Sequence, residues 1–299
     1  MQTPKTALFA ASVAISLMAF PRIASAGSFS AVFVYGDSLS DNGNLYAASG
    51  NTVPPSPYYN GRFSNGPVAV EQLAALEGAP LYDFAWGGAT TGVGNIGDGG
   101  TQTSLGAFNL PGMLSQLAGY TVPPALVSSS LFVVWGGADD LTGGGSVITA
   151  VSDIDTIVLT LQSEGATHIL VPGLPDLGLT PEFYGNPVAT FFSEEFNAAL
   201  HASLPSNVVY YNVFDLMDEV VANPGAYGLA NVTQPCFNGT TVCSNPSQYL
   251  FWDDIHPTTT ADSILANQFA GAVPEPSTIL TLGTGIAGLA GLLRRRRAA

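Results

Sequence analysis

Short apolar runs alternate with segments of helical periodicity along the middle of this chain. The runs are rich in β-branched and aromatic residues and predict buried parallel strands at 31–35, 131–135, 168–171 and 208–213. Apolar residues recur at helical spacing in three other segments, at 147–161, 192–199 and 258–269. Strands that alternate with helices predict an α/β fold, in which helices cover both faces of a parallel sheet. Residues 27–272 are enough for one domain with a substantial core.

The first 26 residues have the pattern of a secretory signal peptide. Lys5 precedes an apolar stretch at 7–20, and Ala24-Ser25-Ala26 provides a small-residue cleavage site after Ala26. Arg22 lies close to that site, so an uncleaved membrane anchor is the alternative interpretation. In either case the pattern predicts export of the domain that follows.

The C-terminal 27 residues, 273–299, form a separate tail of three parts. Pro274-Glu275-Pro276 is followed by 17 apolar or small residues at 277–293 and by four arginines at 294–297. A helix of that length barely spans a bilayer, and the arginines would stay on the cytoplasmic side. The tail resembles the PEP-CTERM sorting signal of Gram-negative bacteria, which implies transient contact with the inner membrane and cleavage by a membrane sorting enzyme. Its destination would be the cell surface, the extracellular matrix or the medium, and a permanent membrane anchor is the alternative.

Without its two ends the chain is strongly acidic. Arg62 is the one basic residue between positions 27 and 273, against 21 acidic residues, which gives a formal charge of -20. This charge excludes nucleic acid as a partner and disfavours anionic membranes and substrates, whereas neutral esters are not repelled. No clustered spacing of metal ligands occurs, and we expect neither a metal nor a cofactor.

Candidate chemistry begins at Ser38, in the polar turn that follows the first predicted strand. A serine hydroxyl needs an imidazole to accept its proton and a carboxylate to orient that imidazole. Asp253 and His256, three residues apart in the sequence, can supply both. Of the other histidines, His168 lies in a strand-like run and is predicted to pack in the core, and His201 is predicted at a solvated helix end.

Two more motifs lie between Ser38 and Asp253 in the sequence, which gives four blocks in all. The blocks read Gly-Asp-Ser-Leu-Ser-Asp at 36–41, Asp-Phe-Ala-Trp-Gly-Gly-Ala-Thr at 83–90, Val-Trp-Gly-Gly-Ala-Asp-Asp-Leu at 134–141 and Asp-x-x-His at 253–256. Together they resemble the GDSL or SGNH hydrolase family of secreted esterases and lipases, over about residues 29–269. The resemblance implies a three-layer α/β/α, flavodoxin-like fold and a catalytic set of Ser38, Asp253 and His256. It also implies an oxyanion hole made by the N–H groups of Ser38 and Gly88.

The third block departs from the family pattern at Asp139, where the family has an oxyanion-stabilising Asn. An ionised carboxylate would repel the oxyanion, whereas a protonated one could donate a hydrogen bond to it. We therefore predict a slow or acid-shifted esterase. In the alternative interpretation, Asp37 and Asp41 cap the segment after the first strand, and Asp139 and Asp140 cap the next helix.

The loops around the motifs are rich in Gly, Pro, Asn and Tyr, and we expect them to form the substrate rim. The residues predicted to line it are Asn44, Tyr58, Tyr59, Arg62 and Trp86. Cys236 and Cys243 are the chain's two cysteines, and in an oxidising compartment they are predicted to form a disulfide that steadies the segment leading to Asp253.

The sequence leaves three functions open. The first is an exported serine esterase or lipase acting on small-molecule or polymeric esters, and the second is an acetyl esterase acting on exopolysaccharide. The third, motivated by Asp139, is a catalytically silent surface or matrix-binding protein.

Overall fold

Five parallel strands form the centre of the computed structural model, which describes residues 29–274. In sequence order they are β1 Val32–Gly36, β2 Leu81–Asp83, β3 Leu131–Trp135, β4 His168–Pro172 and β5 Val209–Tyr211. The spatial order is β2-β1-β3-β4-β5, and every pairing is parallel. This is the flavodoxin-like order of a doubly wound sheet, in which ligands bind beyond the carboxyl ends of the strands. The predicted fold class is confirmed.

Nine α-helices occur within residues 29–274. They are α1 Asn44–Ala48, α2 Ala69–Leu76, α3 Met113–Gly119, α4 Pro124–Val127, α5 Ala138–Thr142, α6 Val147–Ser163, α7 Pro187–Ser203, α8 Val213–Ala222 and α9 Thr259–Ala272. Two more strands, β6 Asn231–Pro235 and β7 Tyr249–Phe251, pair in a separate ribbon. None of the helices in this part of the chain has the length and apolar character needed to cross a membrane.

Alternate residues of the strands face two different helical layers. Phe33 and Phe132 point to one side and pack with α6 and α7, in a core that includes Ile154 and Phe196. Their neighbours along the strands point to the other side and pack with α2 and α9. This alternation of side chains follows from the pleat of the strand and produces the three layers.

A third, smaller core lies away from the sheet. It joins α8, the β6–β7 ribbon and α9 through residues such as Leu216, Val220 and Phe251. The ribbon leads through β7 into the loop that carries Asp253 and His256, so this core positions that loop against the end of the sheet.

The predicted signal peptide, 1–26, and the predicted transmembrane segment, 277–293, with the arginines 294–297, lie outside the described residues.

Candidate active site

Ser38, His256 and Asp253 form a continuous chain of hydrogen bonds beyond the carboxyl ends of the strands. The distance from Ser38 Oγ to His256 Nε2 is 2.8 Å, and His256 Nδ1 lies 2.8 Å from Asp253 Oδ2 and 3.0 Å from Asp253 Oδ1. Ser38 follows β1, whereas the other two residues lie in the loop between β7 and α9. Each of the three residues is partly exposed. The arrangement has the order nucleophile, base and orienting carboxylate that acyl transfer requires.

Asp253 is held by hydrogen bonds to both of its carboxylate oxygens. Oδ1 accepts from the backbone N–H groups of Ile255 and His256, at 2.9 and 2.7 Å. Oδ2 accepts from the hydroxyl of Tyr58 at 2.6 Å. Burial alone would raise the pKa of Asp253, but the charge of His256 and the hydrogen bonds from His256 and Tyr58 lower it to about 2. The carboxylate therefore stays ionised throughout the range in which His256 titrates.

His256 is a stronger base than a free imidazole. Burial opposes its protonation, but the charge and hydrogen bond of Asp253 outweigh burial and raise the pKa of His256 above its ordinary value. Asp37 and Glu182 act in the same direction. The ring of Phe63 packs against the imidazole, with the two ring centroids 5.0 Å apart. This packing helps to fix the orientation of the ring toward Ser38.

Two residues that line the active-site pocket, Ser38 and Gly88, have backbone N–H groups without a hydrogen-bond partner among the described residues. The pocket has a volume of about 430 Å³. Gly88 has a φ of 80°, and a Cβ atom there would lie 2.6 Å from Asn95 Oδ1, so only glycine fits at this position. Free N–H groups beside a nucleophile can stabilise an oxyanion.

Buried carboxylates tie the loop that carries Gly88 to its surroundings. Asp41 accepts hydrogen bonds from Gly43, Asn44 and Leu45 N–H at the start of α1, and Asp41 Oδ2 also accepts from Gly87 N–H at 2.8 Å. Asp140 accepts from the N–H and hydroxyl groups of Thr91, each at 3.0 Å. Asp41 thus has the capping role that was the alternative interpretation of its motif, and it also links the first motif block to the second.

Asp139 lies in the first turn of α5 and reaches the pocket that contains Ser38. Its Oδ2 atom is buried without a hydrogen-bond partner among the described residues. Burial, followed by the charges of Asp37, Asp140 and Glu182, raises the pKa of Asp139 well above its usual value. A neutral carboxyl group is a hydrogen-bond donor, so Asp139 can present an O–H group where the family pattern has an amide.

Asp37 is the other buried carboxyl group beside Ser38. Its Oδ1 atom accepts from Leu39 N–H at 2.9 Å, whereas Oδ2 has no partner in the described structure. Burial raises the pKa of Asp37 to about 7, although the Leu39 N–H group and the charge of His256 oppose the increase. Because like charges repel, the charge of Asp37 disfavours ionisation of Asp139, and the charge of Asp140 disfavours ionisation of Asp37.

None of the five residues predicted at the substrate rim is among the residues that line the pocket. The Asn44 amide donates to the carbonyl groups of Asp83 and Ala85. Arg62 forms an ion pair with Glu71, with Arg62 Nη2 2.6 Å from Glu71 Oε1, and lies over the ring of Tyr59. Trp86 donates its backbone N–H to Gly36 O. Each of these residues makes contacts that organise the surrounding loops.

Cys236 and Cys243 form a disulfide, with their Cα atoms 4.8 Å apart. Phe237, inside the disulfide loop, stacks on Trp252 and meets the ring of Tyr58 edge-on. The loop therefore contacts the tyrosine that donates to Asp253.

The other two histidines lie outside the pocket. His168 is partly buried at the start of β4, with Phe29 edge-on to it, and His201 is exposed in the last turn of α7, where it stacks on Tyr210. Within residues 29–274, no group of three or more His, Cys, Asp and Glu side chains is arranged to hold a metal ion.

Sequence reasoning missed some of the contacts that organise the site. Tyr58 was predicted as a rim residue, but its hydroxyl binds Asp253 across 195 positions of sequence. Gln116 was not singled out, although its buried amide bonds the N–H and C=O groups of Gly36 at the end of β1. The richness of the 44–65 loop in tyrosine was the available signal for Tyr58, and no signal in the sequence indicated Gln116.

Comparison with known proteins gives two family matches. A family model of the GDSL-like lipase/acylhydrolase domain matches residues 32–269, and a model of the PEP-CTERM protein-sorting motif matches residues 272–297. A GDSL esterase/lipase of Arabidopsis thaliana, At1g06990, is 27% identical over 80% of this chain and 87% of its own length. Esterase EstA of Pseudomonas aeruginosa is 30% identical over 90% of this chain, which spans half the length of that relative. Among solved structures, the acetylxylan esterase Axe2 of Geobacillus stearothermophilus gives a TM-score of 0.48 at 13% identity, over 81% of this chain and 93% of that one.

Proposed function

The chain belongs to the GDSL-like lipase/acylhydrolase family and is a carboxylic ester hydrolase, and we propose that it acts after export, through Ser38 as nucleophile. The observation that carries this proposal is the hydrogen-bonded chain from Ser38 through His256 to Asp253, whose serine and histidine line a pocket together with Gly88. Ester substrates, small or polymeric, are the partners that this site would accept.

In the first half of the reaction, Ser38 Oγ attacks the ester carbonyl carbon while His256 Nε2 takes the hydroxyl proton. The negative charge that develops on the carbonyl oxygen is stabilised by the N–H groups of Ser38 and Gly88 and by the O–H group of neutral Asp139. His256 then gives its proton to the leaving alkoxide. The alcohol departs, and the acyl group remains on Ser38.

In the second half, water replaces the alcohol. His256 accepts a proton from the water as its oxygen attacks the acyl carbon, and the same oxyanion donors act again. Collapse of the second intermediate breaks the bond to Ser38 Oγ, which takes the proton back from His256. The acid product leaves and the enzyme is restored. Asp253, which accepts a hydrogen bond from the hydroxyl of Tyr58, orients the imidazole and stabilises its charged form in both halves of the reaction.

The proposal divides the chain into a signal peptide at 1–26, a hydrolase domain at 27–272 and a sorting tail at 273–299. The PEP-CTERM motif supports export and recognition of the tail by a sorting machinery. On this proposal the tail contacts the inner membrane transiently, and cleavage near Pro274-Glu275-Pro276 delivers the hydrolase to the cell surface, the matrix or the medium.

Labelling with a fluorophosphonate probe tests the nucleophile. We expect the probe to label the full-length protein covalently and not to label the Ser38→Ala variant. The full-length protein should hydrolyse p-nitrophenyl esters, and the variant should not. Absence of labelling in both would favour a silent binding protein instead. Release of acetate from an acetylated polysaccharide, without hydrolysis of longer p-nitrophenyl esters, would favour the exopolysaccharide acetyl esterase.

A further inference from the structure

A second cavity, of about 70 Å³, lies next to the active-site pocket and is lined almost wholly by apolar side chains. It lies where α8, β7 and α9 meet, and Leu216, Val220 and Ala261 form part of its wall. Thr180 and Trp135 are the lining residues with polar side-chain hydrogens, and each donates its hydrogen to a backbone carbonyl group. No side chain of the lining therefore offers a free polar hydrogen to water, and such cavities accept apolar groups readily.

Three residues line both this cavity and the active-site pocket, namely Leu39, Pro175 and Ile255. Leu39 directly follows Ser38, and Ile255 directly precedes His256. Two of the three residues shared by the cavity and the active-site pocket are therefore the sequence neighbours of the nucleophile and the base. A group attached to Ser38 Oγ therefore lies on the other side of these shared residues from the apolar cavity.

We propose that this cavity receives the acyl chain of the substrate, and that the enzyme acts on neutral esters of acyl chains longer than acetyl. The inference rests on the proposed function, because it assumes that Ser38 carries the acyl group. A larger apolar cavity of about 150 Å³ is known to accept benzene. About half that volume suits a chain of roughly three or four carbons, and an acetyl group would leave the cavity empty.

The acyl-chain dependence of the rate gives a direct test. Each methylene that enters an apolar site adds about fourfold in binding. We therefore expect kcat/KM of the full-length protein to be about tenfold higher, or more, for p-nitrophenyl butyrate than for the acetate. Val220→Phe should fill the cavity and bring this ratio close to one. Leu216→Ala should enlarge the cavity and move the optimum toward the hexanoate and octanoate.

Matched controls come from the same small core. Val232 and Leu229 belong to the cluster around α8 and the ribbon but do not line the cavity. Val232→Phe and Leu229→Ala should therefore leave the butyrate-to-acetate ratio unchanged, and thermal melting of all four variants checks that they fold. The ratio within each variant is unaffected by a general loss of active protein.

The other outcomes separate the two proposals. If the ratio in Val220→Phe equals that of the unsubstituted protein, the acyl chain does not use the cavity and the inference is overturned. If Val53→Phe brings the butyrate-to-acetate ratio close to one and Val220→Phe does not, the acyl chain binds in the active-site pocket, which Val53 lines. If the unsubstituted protein hydrolyses no ester and the fluorophosphonate probe does not label Ser38, the proposed function itself is wrong.

Discussion

A carboxyl group at Asp139 occupies the position where the family pattern has an amide, and its protonation state decides what it can do there. Asp139 Oδ2 is buried without a partner, and burial with three neighbouring carboxyl groups raises its pKa. The environment thus supports the neutral, hydrogen-bond-donating form that the sequence left as one of two possibilities. If Asp139 is an oxyanion donor, as we propose, its protonation also makes the oxyanion hole sensitive to pH.

The protonation states of His256 and Asp139 determine the direction in which activity changes with pH. His256 must be neutral to accept a proton, so activity should rise with pH through the His256 pKa, which is raised above its ordinary value. Asp139 must be protonated to donate, so activity should fall as pH rises through the Asp139 pKa. The profile of kcat/KM against pH is therefore expected to be bell-shaped.

Asp139→Asn is expected to remove the alkaline limb of that profile and keep the acid limb. Asn donates at every pH, so turnover at pH 8 should increase, up to about the 100- to 1,000-fold that one oxyanion donor is typically worth. The measurement is the pH profile of p-nitrophenyl butyrate hydrolysis for both proteins, with Asp139→Ala as the variant without a donor. Unchanged or lower turnover in Asp139→Asn would exclude this role for Asp139.

Tyr58→Phe is expected to lower kcat roughly tenfold with little change in KM. The substitution removes the 2.6 Å hydrogen bond to Asp253 Oδ2, and a hydrogen bond to a charged group is worth about 1.5 to 3 kcal/mol. Tyr59→Phe is the matched control, because the neighbouring Tyr59 contacts Arg62 and lies outside the triad. A rise in KM with unchanged kcat would instead identify Tyr58 as a substrate contact.

At the residue scale the sequence predicts some roles better than others. Ser38, Asp253 and His256 could be chosen because four motif blocks occur together in the order of the family pattern, whereas a serine after a strand or an Asp-x-x-His motif alone is weak evidence. The hydrogen bond of Tyr58 depends on how a distant loop folds over Asp253, and the tyrosine content of that loop does not identify Asp253 as the partner. For the same reason Asn44, Arg62 and Trp86 could be assigned to the right loops but not to their observed contacts.

At the scale of elements, prediction succeeded where the local pattern decides the structure. The strands β1, β3 and β4 lie within one residue of the predicted runs because all three are apolar and buried. β2 was missed because it has only three residues, Leu81–Asp83, and none is fully buried. The last predicted strand, 208–213, is too long because Asn212 caps α8 by accepting from Asp215 N–H.

The disulfide loop is an element whose removal should affect both stability and catalysis. Replacing both Cys236 and Cys243 by alanine removes a short loop closure worth about 2.5 kcal/mol in the chain-entropy model. The replacement also loosens Phe237, which packs against Tyr58 and Trp252. We therefore expect a lower urea midpoint together with a lower kcat.

The control for this prediction is the unsubstituted protein under reducing conditions, which should reproduce both changes. Loss of stability with an unchanged kcat would show that the loop does not support Tyr58. No loss of stability would contradict the entropic argument.

At the scale of the whole molecule, acidic groups dominate the electrostatics. The formal charge of residues 27–273 is -20, from one basic and 21 acidic residues. Several buried carboxyl groups also have raised pKa values, among them Asp37 at about 7, Asp140 at about 6, and Asp83 and Asp262 well above the ordinary value, in each case chiefly through burial. These groups hold protons in the folded protein at pH values where the unfolded chain has lost them.

The free energy of unfolding should therefore fall as pH rises from about 5 to 8. Stability from a carboxyl group with a raised pKa is fully present below its unfolded pKa of about 4 and is lost as pH rises through its folded value. Each such proton contributes a slope of about 1.4 kcal/mol per pH unit. Asp253 acts in the opposite sense, since its lowered pKa of about 2 stabilises the fold above pH 4, and this stabilisation is lost as pH falls toward 2. Maximum stability is expected near pH 4 to 5.

Urea unfolding between pH 3 and pH 8 measures this profile, and Asp37→Asn is the informative variant. Asn keeps an oxygen that can accept from Leu39 N–H but cannot ionise, so the slope between pH 5 and 7 should decrease by about 1.4 kcal/mol per pH unit. Repulsion among surface charges gives a separate contribution, because 1 M salt shortens the Debye length to about 3 Å and screens exposed groups far more than buried ones. Added salt should therefore raise stability at pH 8 without removing the difference in slope between the two proteins. If stability instead increases steadily from pH 5 to 8, the buried carboxyl groups are ionised in the folded state, and Asp139 cannot be the proton donor of the oxyanion hole.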